Sequence, residues 1–99
     1  MKVTGIVLTK NEERNIERCL ESIEWCNEVI VVDDFSTDNT RKIAENRGAV
    51  VVKRKLNNDF AAQRNFGLEK ASNEWALFVD ADEVVSPLLH EDIVRRVKD

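Results

Sequence analysis

The sequence predicts an α/β fold, a parallel sheet of about four strands with helices on both faces. Short apolar runs that suit strands begin near residues 3, 29, 49 and 75, and each is followed by a segment with helical spacing or helix-capping residues. Strands that alternate with helices in this way pair in parallel through right-handed crossovers. Three of the runs also end directly in polar clusters, which is typical of the carboxyl edge of such a sheet.

The first strand–helix unit begins with Val3–Leu8. Asn11 suits the N-cap of the following helix, because Glu12 and Glu13 would then lie in its first turn, where the helix dipole favours acidic side chains. Apolar residues then recur at the i, i+3, i+4 and i+7 spacing of a buried helix face. These residues are Ile16, Cys19, Leu20 and Ile23. Cys19 is therefore expected in the core and not as a reactive thiol.

A second unit begins with the strand Val29–Val32. Ser36 and Thr37 are the N-cap candidates for its helix, since short hydroxyl side chains accept hydrogen bonds from the first turn. Gly48 suits the left-handed residue that ends a helix. The third strand is expected over Ala49–Val52.

Two helices and a fourth strand complete the chain. Asp59 can cap a helix over Phe60–Lys70. Trp75–Asp80 is predicted as a strand covered on both faces, because its first five side chains are apolar. Ser86-Pro87 indicates a helix start, since proline is favoured at the first helical position. The inner face of this last helix would carry Leu89, Ile93 and Val97.

Composition indicates a soluble domain with an acidic surface. Nineteen acidic and fifteen basic side chains give a net charge of −4, which argues against a nucleic-acid partner because phosphate recognition needs a basic face. No apolar run approaches the ~18–20 residues of a transmembrane segment. Two cysteines and one histidine provide neither a disulfide framework nor zinc-site spacing. We expect residues 1–99 to form a single cytoplasmic domain.

Polar clusters follow the first, second and fourth strands and would meet at one edge of the sheet. They are Thr9–Glu13, Asp33–Asp38 and Asp80–Glu83. Any one of them has the composition that helix caps and turns need anyway. Helix capping does not explain two acidic pairs at one edge, because crowded carboxylates repel each other unless a cation or hydrogen-bond donors compensate their charge. Asp80 and Asp82 would point to the same side of an extended chain, and their oxygens suit Mg2+ or Mn2+.

Such an edge can hold a nucleoside diphosphate. Asp33 would accept a hydrogen bond from a base N–H or a ribose hydroxyl, while Asp80 and Asp82 hold a metal that bridges the diphosphate. With three glycines, the chain contains neither a Gly-x-Gly-x-x-Gly nor a Gly-Lys-Ser/Thr pattern, so a dinucleotide site or a P-loop is not indicated. Metal would then replace backbone amides in neutralising the phosphates, which favours chemistry on a diphosphate leaving group.

Four segments taken together resemble the amino-terminal half of family 2 glycosyltransferases, which have the GT-A fold with a Rossmann-like nucleotide-binding half. The segments are Val7–Glu13, Val31–Asp38, Ala62–Gly67 and the DxD motif Asp80-Ala81-Asp82. They follow the order and spacing of the family and cover nearly the whole chain. Within the family, Glu24–Thr40 and Trp75–Ile93 are most similar to the bacterial lipopolysaccharide core glucosyltransferases.

The resemblance implies a UDP-sugar donor, a divalent metal (Mg2+ or Mn2+) and inverting transfer to a glycan or lipid-linked acceptor, in the cytoplasm or peripherally at the inner face of the membrane. The donor-binding residues that it implies are Thr9, Asn11, Glu12, Asp33, Asp34, Arg64 and Asp80. The metal ligands that it implies are Asp80 and Asp82. Arg64 is equally well explained as a solvated helix charge. Two departures from the family are Lys10, where many members have Tyr, and Asp34-Phe35, where Ser-Gly or Asp-Gly is usual.

No catalytic base is identified after the DxD motif, although inverting transfer needs a carboxylate that deprotonates the acceptor hydroxyl. Glu83 is too close to the metal pair, and Glu91 and Asp92 have the positions of first-turn helix residues. We expect the donor-binding part of a truncated glycosyltransferase, inactive alone, with an uncovered sheet edge that favours a homo-oligomer. The alternatives are a non-catalytic nucleotide-binding or assembly module of the same fold, a phospho-acceptor receiver domain, or an α/β domain without a site.

Overall fold

The structure, a computed structural model, describes residues 2–97. Its elements in chain order are β1 (Val3–Thr9), α1 (Ile16–Ser22), β2 (Glu28–Asp33), α2 (Thr40–Asn46), β3 (Val50–Lys53), α3 (Phe60–Lys70), β4 (Trp75–Asp80) and α4 (Pro87–Val97). The four strands form one parallel sheet in the order β3-β2-β1-β4. The predicted α/β class is confirmed. No helix within these residues has the length and apolar character needed to cross a membrane.

Two apolar clusters lie on opposite faces of the sheet. On one face, Val7 and Val31 pack with Ile16 of α1, Ala44 of α2 and Val97 of α4. On the other face, α3 covers a smaller cluster of Ile6, Ile30 and Val32. Helix α3 approaches the sheet closely at Gly67, where an added Cβ would lie 2.6 Å from Ile6 Cγ2. The predicted inner face of α1 is fully buried, as expected from its spacing.

Several local predictions match the structure. The bounds of α3 and β4 are those predicted, and Asp59 Oδ1 accepts the Ala62 N–H at 2.9 Å. Ser86 Oγ accepts the Leu89 N–H at 3.1 Å at the start of α4. Gly48 follows α2 with φ +84°, a conformation that glycine adopts without strain.

The predicted starts of α1 and α2 are wrong. Helix α1 begins at Ile16, after Asn15, and α2 begins at Thr40, after Asn39, and neither preceding residue makes a side-chain capping bond. Asn11, Ser36 and Thr37 lie upstream in the loops, where they bond to each other across the two loops instead of to the first turn of a helix. Their polar side chains have the right composition for caps, but the partners are long-range.

The prediction that Trp75–Val79 is covered on both faces is also wrong. Strand β4 is at the edge of the sheet, with Trp75 41% exposed and Phe78 39% exposed. The apolar run gives no information on strand order, and α3 lies over β1 and β2 instead of β4. Leu89 is likewise 47% exposed, so α4 meets the core through Ile93 and Val97 further along its length.

Candidate functional site

The loops that follow β1 and β2 are joined into one wall at the carboxyl edge of the sheet. The Asn11 N–H donates to Ser36 Oγ at 2.8 Å, and Asn11 Oδ1 accepts the Thr37 N–H at 2.8 Å. One residue further, the Glu12 N–H donates to Thr40 Oγ1 at 2.9 Å. Asn11 adopts φ +51° to make these contacts. The first two polar clusters are therefore brought together, and their backbone is fixed by hydrogen bonds.

Asp33 lies beneath this wall and is fully buried. Its Oδ2 accepts the Ser36 N–H at 2.8 Å, and its Oδ1 accepts the Ser36 hydroxyl. The Arg41 Nε lies 3.6 Å from Oδ2. Both carboxylate oxygens are thus engaged with the loop after β2, and a buried carboxylate held in this way shapes the backbone around it.

A cavity of about 370 Å³ opens along the same edge, between the β1, β2 and β4 ends and the segment that leads into α3. Its lining comprises Leu8, Thr9, Lys10, Glu12, Asp34, Leu56, Phe60, Gln63, Asp80, Ala81 and Asp82. The cavity is therefore acidic on the β4 side and mixed polar and apolar on the other, a composition typical of a small-molecule site.

Five of the residues proposed from the sequence lie in this lining. They are Thr9, Glu12, Asp34, Asp80 and Asp82. The structure places the other three elsewhere: Asn11 in the loop wall, Asp33 beneath it, and Arg64 exposed on α3. Lys10, a departure from the family pattern, lies in the lining, as do Leu56, Phe60 and Gln63, for which the sequence predicted no role in the site. Two apolar residues in an otherwise polar stretch, Leu56 and Phe60, were the available signal.

Asp34 connects three segments around the cavity. Its Oδ1 accepts the Leu56 N–H at 3.1 Å, and its Oδ2 lies 3.8 Å from Lys10 Nζ. Gln63, 1% exposed, exchanges two hydrogen bonds with Arg54, one to each end of its amide. The segment between β3 and α3 is therefore held against the cavity by side chains from both sides.

A second cavity of about 340 Å³ shares Lys10, Asp34 and Leu56 with the first. Phe35 forms part of it, with φ +50° and 45% exposure. A left-handed conformation costs a side-chain-bearing residue about 1 kcal/mol or more. The Nζ atoms of Lys53 and Lys55 lie 5.8 and 6.0 Å from the Phe35 ring centroid, so this aromatic ring lies beside two cations.

Thr9 Oγ1 is the one buried side-chain polar atom within residues 2–97 that has no hydrogen-bond partner. Thr9 is 7% exposed and contributes to the cavity lining. An unsatisfied buried hydroxyl costs about 1–3 kcal/mol, so native proteins retain few of them. Thr9 therefore carries a buried, unpartnered hydroxyl beside the cavity.

The turn after β4 presents the two acidic residues of the DxD motif. The Asp80 carbonyl accepts the Glu83 N–H at 2.9 Å and the Cys19 thiol at 3.5 Å. Burial raises the pKa of Cys19 to about 12, with the negative charges of Glu83, Asp82 and Asp80 acting in the same direction. Cys19 is therefore a protonated core residue that packs beneath the turn, as its helix position predicted.

The acidic pair fits a divalent metal that a ligand completes. Within the described part of the chain, no group of three or more His, Cys, Asp and Glu side chains could hold a metal ion. Asp80 and Asp82 nevertheless line one cavity, and Mg2+ is commonly held by one or two carboxylates together with substrate phosphates. Two carboxylates are an oxygen donor set of the kind that suits Mg2+ or Mn2+.

Comparison with protein families gives a match over nearly the whole chain. The model for "Glycosyl transferase family 2" matches residues 4–99. An uncharacterized glycosyltransferase of Rickettsia bellii (strain RML369-C) is 44% identical over 94 residues, which are 93% of this chain and 31% of the relative. The lipopolysaccharide core biosynthesis glycosyltransferase LpsC of Rhizobium meliloti (strain 1021) is 30% identical over 95 residues, 92% of this chain and 35% of LpsC. The chain thus spans about a third of the length of these relatives.

Solved structures give the same result at the level of fold. The crystal structure of S. aureus TarS 1-349 superposes with a TM-score of 0.83 and 32% identity, covering 99% of this chain and 32% of TarS. TarS has also been solved in complex with UDP (TM-score 0.74, 31% identity). The glucosyl-3-phosphoglycerate synthase of Mycobacterium tuberculosis, in complex with Mn2+, UDP and phosphoglyceric acid, has a TM-score of 0.76 and 26% identity, covering 97% of this chain and 38% of the synthase.

Proposed function

Because the chain belongs to glycosyl transferase family 2, we propose that it binds a UDP-sugar with a divalent metal, as the donor-binding part of an inverting glycosyltransferase. The family match over residues 4–99 confirms the resemblance carried by the four sequence segments. TarS and the mycobacterial synthase, two structural neighbours, have been solved with UDP, the synthase also with Mn2+. These neighbours support a nucleotide donor and a metal for this chain as well.

The proposal rests mainly on the larger of the two cavities described above, the one of about 370 Å³. It joins the carboxylates of Asp80 and Asp82 to the unpartnered hydroxyl of Thr9 and to Asp34. We assign the diphosphate to the β4 side, with a metal held by Asp80 and Asp82, and the nucleoside to the β1 and β2 side. The metal would neutralise the charge that develops on the diphosphate leaving group.

Asp34 is the better candidate for the contact with the base. It lines the cavity, whereas both oxygens of Asp33 are engaged with Ser36 and Arg41. A carboxylate accepts the imide N–H of uracil, and the Lys10 ammonium lies 3.8 Å from Asp34 Oδ2. Thr9 would bond the nucleoside through Oγ1. Asp33 then contributes indirectly, by fixing the loop that carries its neighbour.

The chemistry of transfer needs a base that the donor site does not supply. Glu12, Asp34, Asp80 and Asp82 are the acids in the cavity lining, and each has a position suited to donor or metal. Asp92 on α4 is paired with Arg96 Nε at 3.0 Å. We therefore propose that residues 1–99 bind donor without turning it over. From the name of LpsC, we propose a lipopolysaccharide or other cell-envelope glycan as the acceptor, used in the cytoplasm or at the inner face of the membrane.

Titration calorimetry with UDP tests the proposal directly. We expect binding in the presence of Mn2+ and a loss of affinity of at least about tenfold with EDTA or in Asp82→Ala. Because Asp82 is exposed, the variant should keep its unfolding free energy within about 0.5 kcal/mol. Asp92→Ala, which removes a carboxylate from α4, is the matched control and should bind normally.

Two results would contradict the proposal. The first is an absence of binding heat with UDP and with UDP-sugars in Mn2+. The second is an Asp82→Ala variant that binds UDP and Mn2+ as well as the parent chain, which would remove the metal role of the DxD motif. A non-catalytic module of the same fold would bind donor equally well, and sugar transfer by any longer polypeptide that contains residues 1–99 would exclude it.

A further inference from the structure

The turn that carries the two acids of the DxD motif is closed by Glu83 through a reciprocal pair of hydrogen bonds. The Glu83 N–H donates to the Asp80 carbonyl at 2.9 Å, and Glu83 Oε1 accepts the Asp80 N–H at 2.9 Å. The side chain thus returns to the backbone three residues earlier. Both polar groups of the Asp80 backbone are fixed by one residue, as in the capping box at a helix start.

Helix α1 also forms hydrogen bonds with this turn and with the residues that follow it. The Cys19 thiol donates to the Asp80 carbonyl at 3.5 Å, and Ser22 Oγ accepts the Val85 N–H at 2.9 Å. Ser22 Oγ in turn donates to the Cys19 carbonyl at 2.6 Å. The chain is therefore fastened to α1 at Asp80 and at Val85, on either side of Asp82 and Glu83.

Glu83 is not itself part of the cavity lining, although it follows Asp82 directly. One of its carboxylate oxygens is engaged with a backbone amide of β4. A third carboxylate near an acidic pair has two possible uses, to add negative charge that attracts a cation or to hold the other two in place. The geometry supports the second use, because Oε1 accepts the Asp80 N–H and Glu83 is not among the residues that line the cavity.

We infer that Glu83 is a positioning residue that pre-organises Asp80 and Asp82 for the metal, and this inference rests on the proposed function. Side chains that orient metal ligands typically change metal affinity by about 10- to 100-fold when they are altered. The effect requires a side chain long enough to place an acceptor oxygen at the Asp80 N–H, and it does not require a negative charge. Side-chain length and charge can be varied separately by substitution.

Two variants separate them. Glu83→Gln keeps the length and the acceptor oxygen but removes the charge, and Glu83→Asp keeps the charge but is one methylene too short to reach the Asp80 N–H. We expect Mn2+ affinity in the presence of UDP, measured from the free-Mn2+ signal in electron paramagnetic resonance, to fall about tenfold or more in Glu83→Asp. Glu83→Gln should stay close to the parent. Glu91→Asp, the same shortening on exposed α4, is the control and should leave affinity unchanged.

A second readout needs no metal. Amide hydrogen exchange at Asp80 in the metal-free chain should accelerate about tenfold or more in Glu83→Asp, because the N–H loses its acceptor, and should be nearly unchanged in Glu83→Gln.

If Glu83→Asp keeps both the Mn2+ affinity and the slow exchange, the positioning role is overturned. If Glu83→Gln loses as much affinity as Glu83→Asp, the charge of Glu83 acts on the metal and positioning is again overturned. A parent chain that binds no Mn2+ with UDP would instead refute the proposed function, and the role toward metal with it.

Discussion

Asp33 and Asp34 are adjacent in sequence but act on different parts of the molecule. Asp33 ends β2 and is buried against Ser36 and Arg41, while Asp34 reaches the cavity and the Leu56 N–H. Successive side chains of an extended chain point in opposite directions, so only one of two adjacent acids can face a ligand. The sequence shows the pair, but its orientation depends on the register of β2 with its neighbours.

Thr9 offers a residue-level test of the cavity, because its hydroxyl has no partner within the protein. Thr9→Val replaces that hydroxyl by a methyl group of similar size. We expect the unfolding free energy in urea to be unchanged or to rise by up to about 1 kcal/mol, since no hydrogen bond is lost. UDP affinity in Mn2+, measured by calorimetry, should fall about fivefold, the equivalent of one hydrogen bond of about 1 kcal/mol.

Thr40→Val is the matched control for this prediction. Thr40 is also fully buried, but its Oγ1 accepts the Glu12 N–H and donates to Asp38. Its loss should destabilise the protein by about 1–3 kcal/mol, because the Glu12 N–H is left without an acceptor. Equal destabilisation by Thr9→Val and Thr40→Val would show that Thr9 Oγ1 has a partner in the folded chain.

At the scale of elements, predictions succeeded where the determining contacts are local. Asp59 caps α3 through the Ala62 N–H three residues later, and the bounds of that helix were predicted correctly. Asn11, Ser36 and Thr37 have the same cap-forming chemistry, but the hydrogen bonds that join them span 25 or 26 residues. Nothing in the local sequence distinguishes these two cases. The exposure of β4 was missed for a related reason, because strand order is a property of the whole sheet.

Glu28 joins β1, β2 and the segment before β4 at the amino ends of the strands, which is the end of the sheet opposite the cavity. From the start of β2, its carboxylate accepts the Ser72 N–H at 2.9 Å, the Ser72 hydroxyl at 3.1 Å and the Thr4 hydroxyl at 2.9 Å. The hydrogen bond from the Ser72 N–H is the main cause that lowers the pKa of Glu28 below 4.5. The segment before β4 is therefore held to β1 and β2 by an ionised side chain.

The pH dependence of stability follows from this shift. Because the folded-state pKa is lower than the unfolded one, the contribution of Glu28 is complete above pH 4.5 and is lost as the pH falls through the folded-state value. Glu28→Gln should lower the melting temperature by a few degrees at pH 7 and flatten its decline between about pH 5 and 3. Glu69→Gln, an exposed site on α3, should retain the parent decline. Parallel melting curves for Glu28→Gln and the parent across this range would refute the assignment.

At the scale of the whole molecule, the two edges of the sheet differ. Strand β3 has four residues, whereas β4 has six and exposes large apolar side chains on both faces. Phe78 is in register with Ile6 on the α3 face, and Trp75 is in register with Val3 on the other. An edge with free backbone groups and apolar side chains favours pairing with another strand. Within residues 2–97, β4 is therefore the edge better suited to association.

We expect residues 1–99 to form a dimer in which two copies pair along β4. Sedimentation velocity should show a mass that rises with concentration, and Phe78→Lys should restore a monomer because a cation on the edge opposes pairing. Val50→Lys places the same charge at a site 53% exposed on β3 and should leave association unchanged. Dissociation by Val50→Lys alone, or a parent that stays monomeric throughout, would exclude pairing along β4.

Asp80 ends the same strand, so a copy paired along β4 would also lie beside the turn that carries Asp80 and Asp82. UDP binding and dimer formation should therefore affect each other. Phe78→Lys allows UDP binding to be measured in the monomer.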